Sequence, residues 1–208
     1  MEPSMDRLTE LARRLLRKGG RTILGITGPP GSGKSTIAAA IVDAVGADAR
    51  LVGMDGFHLA HAELIRLGRV DRKGAPDTFD ALGYTALLRR LRDDTEAVVY
   101  APRFERAIED PIAGAVAIER HVPLVVTEGN YLLVDDGAWA EVRHLLDTCW
   151  YVDLPATIRQ RRLTARHEGY GRSAGEALGR TLGSDQVNAE VVEATRHRAD
   201  LVITSGAD

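Results

Sequence analysis

Cysteine is almost missing from this chain of 208 residues: Cys149 stands alone in an apolar stretch. No disulfide can form within the chain, which suits a reducing compartment, so the cytoplasm is the expected location. A surplus of one charge is missing too, with 27 basic residues against 30 acidic ones and a formal net charge of −3. Without a basic excess, nothing in the charge marks a nucleic-acid partner. No apolar run is long enough to span a bilayer, so no membrane insertion is expected. Residues 1–18 instead gather Leu8, Leu11, Ala12, Leu15 and Leu16 on one helical face, with Arg13, Arg14, Arg17 and Lys18 on others. This is an amphipathic helix rather than a secretory core. Its apolar face has two destinations, the chain's own sheet or a second copy in a homodimer, and the sequence leaves both open. Repeats, low-complexity tracts and Pro/Ser-rich linkers are likewise absent, so one domain over residues 1–208 is expected.

What is present supports a sizeable core. Hydrophobic residues make up 44% of the chain, enough for one ordinary globular domain. After Gly19-Gly20, short β-rich apolar runs alternate with helical stretches, the pattern of an α/β protein with a parallel sheet covered on both faces. Strands are predicted at residues 22–27, 50–54, 98–100, 124–127, 149–153 and 201–204, because these runs are mostly continuous and apolar, as buried parallel strands require. Tyr84, Leu87, Leu88 and Leu91 fall at helical spacing. The segments 68–76 and 168–175, rich in glycine and charge, are read as mobile loops beside a site.

The turn after the first strand carries the strongest signal. Gly28-Pro29-Pro30-Gly31-Ser32-Gly33-Lys34-Ser35 has full P-loop spacing, with a strand before it and a helix from Thr36 after it. Backbone N–H groups must converge on phosphate oxygens there, and a Cβ at Gly31 or Gly33 would obstruct either the turn or the close approach. Lys34 supplies a cation for the β- and γ-phosphates, and the Ser35 hydroxyl stands where Mg²⁺ is ligated. MgATP is therefore expected on residues Gly28, Pro29, Pro30, Gly31, Ser32, Gly33, Lys34, Ser35 and Thr36. The competing reading, a glycine-rich turn that binds nothing, leaves eight matched positions in the right frame unexplained.

The rest of the chain narrows the chemistry. An Asn-Lys-x-Asp base reader is absent, which argues against a guanine-specific switch, and Val125-Val126-Thr127-Glu128 ends in one acid where an ATP-driven mechanical enzyme usually carries two. Asp55 follows the apolar run 51–54 and precedes Gly56, so it belongs at the carboxyl end of a strand, where open α/β sheets collect ligands. It either takes a proton from an acceptor hydroxyl or caps a turn or holds a metal-bound water, readings that spacing alone leaves even.

Five segments in order tip that balance: residues 28–35, Met54-Asp55-Gly56-Phe57-His58, Ala75-Pro76-Asp77-Thr78-Phe79-Asp80, Pro102-Arg103-Phe104-Glu105-Arg106 and Glu128-Gly129-Asn130-Tyr131. Over residues 22–204 the chain resembles the uridine kinase, phosphoribulokinase and pantothenate kinase-like group of P-loop kinases, and within it small bacterial proteins described provisionally as fructose-transport-system or fructokinase-like kinases. The resemblance implies a five-stranded parallel core of order 2-3-1-4-5 with helices on both sides and a lid. It implies that Asp55 is the catalytic base, that Glu128 acts near Mg²⁺, and that His58, Arg103 and Glu105 line the acceptor pocket. It also places the neighbourhood of Asn188 near the adenine. Phe104-Glu105 replaces the Tyr-Asp pair of uridine kinases, which puts nucleoside specificity in doubt.

Arginines crowd residues 159–166, and glycines at 169, 171 and 175 follow, so residues 156–183 are read as a helix and lid. Arg162 and Arg166, four apart, share a face and suit phosphate oxygens as catalytic cations. The whole gives an ATP-dependent kinase for a small-molecule hydroxyl acceptor, a sugar such as fructose or a related alcohol. Against it stand a nucleoside or pantothenate-type kinase, a nucleotide kinase acting on a phosphate, and an ATP-binding switch with little catalysis.

Overall fold

The computed structural model describes residues 4–16 and 20–204. Helix α1 (Met5–Leu15) is capped by Ser4, whose hydroxyl accepts from the Arg7 N–H at 3.3 Å. Strand β1 (Thr22–Thr27) leads through the glycine-rich turn into α2 (Lys34–Val45), followed by β2 (Ala49–Gly53), α3 (His61–Arg66) and α4 (Ala81–Asp93). A hairpin of β3 (Val98–Glu105) and β4 (Asp110–Glu119) precedes β5 (Leu124–Gly129), the short α5 (Val142–Leu145) and β6 (Thr148–Asp153). Helices α6 (Ala156–Gly169), α7 (Ala174–Leu182) and α8 (Ser184–Glu193) then lead to β7 (Leu201–Thr204).

Five of these strands form one parallel sheet in the order β2-β5-β1-β6-β7, which is the expected 2-3-1-4-5 when only the sheet's own strands are counted. Strands β1 and β5 are buried at every residue, because helices cover both faces. Period-two alternation sorts their side chains. Ile23 and Val125 face one core with Tyr84, Leu88 and Trp139, while Leu24, Ile26, Leu124 and Val126 face another with Ala38, Ile41 and Trp150. Each fully buried aliphatic side chain contributes about 1.5–3 kcal/mol. Leu8 and Ala12 of α1 belong to the second core, so of the two destinations open to the first helix, the chain's own body is the one observed. Arg17, Lys18 and Gly19 lie outside the described residues.

The strand expected at 98–100 corrects the sequence reading. It belongs to the antiparallel β3–β4 hairpin and not to the parallel sheet. Val99 and Ala101 are buried while Tyr100 between them is 58% exposed, the alternation of a half-buried strand rather than a central one. Its partner β4 is diluted by Pro111, Ala113, Gly114 and Ala115 and gives no clean period. The loose stretch expected at 168–175 is also shorter than predicted. Helix α6 runs through Gly169 and α7 starts at Ala174 behind a Ser173–Glu176 capping box.

Candidate active site

The carboxyl ends of β1, β2 and β5 deliver the chemistry. Gly33 caps α2 with φ +90°, a left-handed conformation that L side chains rarely adopt, and no side chain caps the helix start. No acidic residue occupies the first turn of α2, so its amides face an anion site with the helix dipole behind them. Gly31 serves a different need. A Cβ there would come within 2.9 Å of both the Arg159 carbonyl and Leu163 Cγ, so glycine lets α6 lie directly on the loop. Arg159 is wholly buried and donates from Nη1 to the Pro30 carbonyl at 3.2 Å and from Nη2 to Glu193 at 2.9 Å. This arginine fastens the loop to α6 from below. Ile158, Arg159, Leu163 and His167 form the buried face of α6, and its two polar members explain why the apolar pattern there was weak.

Above the loop is a cavity of about 480 Å³ lined by residues 31–37 together with Arg162, Leu163 and Arg166. Neither arginine has a carboxylate partner among the described residues. The Ser35 hydroxyl donates to Glu128 Oε2 at 3.0 Å. Glu128 is only 8% exposed and lies against Gly53, where a Cβ would sit 3.4 Å from Oε1. Burial, reinforced by Asp55, raises the Glu128 pKa, while Lys34 and the Ser35 hydrogen bond oppose the shift. Burial lowers the Lys34 pKa, opposed by Glu128 and Asp55 and aided by Arg166 and Arg106. Lys34, Glu128, Asp55, Arg166 and Arg106 therefore form one electrostatically linked group of charges.

A hydroxyl and a carboxylate are the hard oxygen donors that Mg²⁺ accepts. No group of three or more His, Cys, Asp or Glu able to hold a metal occurs among the described residues. The donor set therefore fits an ion that keeps phosphate and water ligands.

Asp55 lies in a one-turn 3₁₀ helix (Met54–Phe57) directly after β2. Its carboxylate is 3.5 Å from Arg106 Nη2 and 3.9 Å from His58 Nδ1. Burial lowers the His58 pKa, and the ring packs against Phe79 at 4.0 Å and Phe104 at 5.0 Å. Both residues line a second cavity of about 500 Å³ that also includes Pro30, Asn130, Arg166 and Asn188. Arg166 thus borders both cavities. Asn188 lines the cavity that holds Asp55.

Arg103 and Glu105 stand elsewhere. They are two apart on β3, make an ion pair of 3.9 Å with each other, and Arg103 is 63% exposed. The residues lining the cavity from this strand and the turn after it are Phe104, Arg106 and Glu109. Strand alternation puts 103 and 105 on one face and 104 on the other, while Arg106 reaches the cavity from the turn, which no periodicity in the sequence marks.

Gly129 couples the two strands that bear the acids. A Cβ there would meet Met54 Sδ at 2.7 Å as well as Met54 Cβ. Gly129→Ala should therefore cost about 1–3 kcal/mol and displace the neighbour of Asp55. Urea unfolding will show the loss, together with a reduced turnover larger than the unfolded fraction explains.

A glycine cradle on β1, an acid at the end of β5 bonded to the loop serine, and a carboxylate at the end of β2 facing a second cavity define a P-loop phosphotransferase. The chain is 33% identical over 211 residues to a protein of Schizosaccharomyces pombe provisionally named uridine kinase, covering 96% of this chain and 90% of that one. It is 29% identical to a pantothenate kinase of Clavibacter michiganensis, over 89% and 67% of the two chains. Its fold matches the crystal structure of a protein of Silicibacter sp. TM1040, titled provisionally a fructose transport system kinase, with TM-score 0.87, 35% identity and coverage of 96% and 98%. No protein-family model matches the chain. The chain belongs to the uridine kinase and pantothenate kinase-like family of P-loop kinases. Among the described residues, no helix is long and apolar enough to cross a membrane.

Proposed function

We propose that this kinase transfers the γ-phosphoryl group of MgATP to an alcohol of a small molecule held in the second cavity. The observation that carries the reading is the position of Asp55. Its carboxylate lies on the wall of that cavity and still acts on the Lys34 ammonium at the end of the P-loop. A hydroxyl hydrogen-bonded to Asp55 therefore faces the place where the γ-phosphate ends. Asp55 takes the hydroxyl proton as the acceptor oxygen bonds to phosphorus. The bond from phosphorus to the β,γ-bridging oxygen breaks, and ADP leaves. Lys34, Arg162 and Arg166 balance the charge on the transferring group, a term worth up to about 10³–10⁵ in rate for a well-placed arginine. Glu128 and the Ser35 hydroxyl would hold Mg²⁺, which would supply Lewis-acid charge to the phosphate oxygens.

A phosphate acceptor needs no base to ionise it, so Asp55 favours an alcohol over a nucleoside monophosphate. The test is a screen of sugars, nucleosides, pantothenate and hydroxy acids, reading ADP release and product mass. Transfer to a hydroxyl of at least one class is the expected result. Tight ATP binding with no acceptor-dependent ADP release would instead favour a nucleotide-binding switch.

A further inference from the structure

We infer that the acceptor is an acid: an alcohol that also carries a carboxylate or a phosphate monoester, held at the end of the second cavity remote from Asp55. This rests on the kinase reading above and narrows it away from neutral sugars and nucleosides.

The charges lining the cavity carry the inference. Three are carboxylates and five are cations. Each carboxylate is already engaged. Asp55 faces Arg106, Glu109 lies 3.6 Å from the Lys73 ammonium, and Asp185 is 2.7 Å from His167 Nε2. On the other ring nitrogen, His167 Nδ1 is 3.0 Å from Arg172 Nη1. Arginine can only donate, so Nδ1 accepts, Nε2 carries the hydrogen given to Asp185, and the ring is neutral. Arg172 is thus separated from Asp185 by an uncharged imidazole. Arg180 donates to the carbonyls of Asp71 at 3.2 Å and Lys73 at 2.6 Å, which engages two of its N–H groups, leaves the others free for an oxygen ligand and leaves its charge uncancelled. Arg166 lines the P-loop cavity as well as this one.

A pocket for a neutral polyol needs free acceptors for several hydroxyls. Here Asp55 serves the reacting hydroxyl, Glu109 and Asp185 are occupied, and the buried Asn130 Oδ1 offers an unpartnered acceptor for one hydroxyl more. What the cavity offers instead is positive charge that no carboxylate cancels, at Arg172 and Arg180. Phe104 orients two cations: the Lys73 ammonium lies 5.0 Å from its ring centroid and the Arg106 guanidinium 5.5 Å. An anion at this wall meets planar donors suited to carboxylate or phosphate oxygens. A neutral ligand leaves the charges of Arg172 and Arg180 without an anion.

Matched acceptor pairs test this: glycerol against glycerate and glycerol 3-phosphate, pantothenol against pantothenate, and fructose against gluconate and fructose 6-phosphate. The acidic members should show kcat/KM at least about 100-fold above their neutral twins, and the carboxylate and phosphate arms identify which anion is preferred. Arg180→Gln should raise KM for the preferred acid at least about tenfold with little change in kcat. Arg172→Gln, at an exposed lid position, should do the same should Arg180→Gln fold poorly. Equal or better turnover of the neutral twins, a phosphoanhydride product, or unchanged KM in both variants overturns the inference. Should no member be phosphorylated although ATP binds, the kinase reading fails and the acid site is judged separately. Calorimetry with a non-hydrolysable ATP analogue present then supports it by tighter binding of glycerate than glycerol, or overturns it by equal binding.

Discussion

Asp55→Asn should lower acceptor-dependent ADP release by about 10²–10⁴-fold, the range for losing a general base, while ATP affinity stays within about threefold. Asparagine keeps the shape of the residue in its 3₁₀ turn and removes the charge that accepts a proton. A role limited to capping the turn predicts the opposite pattern, with lower stability and near-normal kcat in the folded fraction. His58 does not replace the lost base. Its Nδ1 already lies 2.9 Å from the Asp55 carbonyl, which makes that nitrogen the donor, and burial disfavours a charge on the ring.

The same substitution has a second readout independent of turnover. Asp55 is the neighbour that, after burial, does most to raise the Glu128 pKa. Neutralising it lets Glu128 ionise at lower pH. A carboxyl whose pKa is raised in the folded state favours folding while both states hold the proton. That advantage is lost as pH rises from the unfolded value of about 4.5 through the folded one. Asp55→Asn should therefore make stability fall less steeply between pH 5 and pH 8 than in the unaltered protein, as measured by urea midpoints. An unchanged slope would separate the two acids and remove the argument that Asp55 shares the phosphate end of the site.

The parts of this fold that could be read from sequence are those where one local rule decides. The continuous apolar runs of β1 and β5 announce buried parallel strands, and the P-loop spacing fixes Lys34 and Ser35 because each position answers a separate demand of phosphate geometry. Arg159 could not be recognised the same way. In sequence it is one of a crowd with Arg161, Arg162 and Arg166, and only the seating of α6 on Gly31 decides that Arg159 turns inward to Pro30. The hairpin escaped for a related reason. Its β4 strand draws on pairing with β3 more than on its own residues, so no local periodicity reveals it, and without the hairpin the facing of Phe104 and Arg106 stays ambiguous. The His167–Asp185 pair joins α6 and α8 through two residues 18 apart in the chain, a contact set by the return of the chain through α7.

Lys34→Ala should reduce kcat/KM by about 10³–10⁵-fold, the scale on which a cation at a transferring phosphoryl group acts, and should also change how the fold responds to pH. Lys34 is the first of the groups that hold the Glu128 pKa down. With alanine there, the buried carboxylate keeps Ser35 but loses the cation that most opposes the shift, and its pKa rises further. The folded state then binds its proton over a wider range, so stability should continue to fall at higher pH than in the unaltered protein. Adding Glu128→Gln should flatten this dependence and recover stability at pH 8, since a neutral amide carries no desolvation cost of charge. It should recover no activity, because the amide replaces an anionic oxygen that would hold Mg²⁺. A double-mutant cycle over urea midpoints and turnover separates the two consequences. Additive stability losses would mean that Lys34 and Glu128 do not sense one another, and retained turnover in Lys34→Ala would mean that the cradle on β1 does not grip the group being transferred.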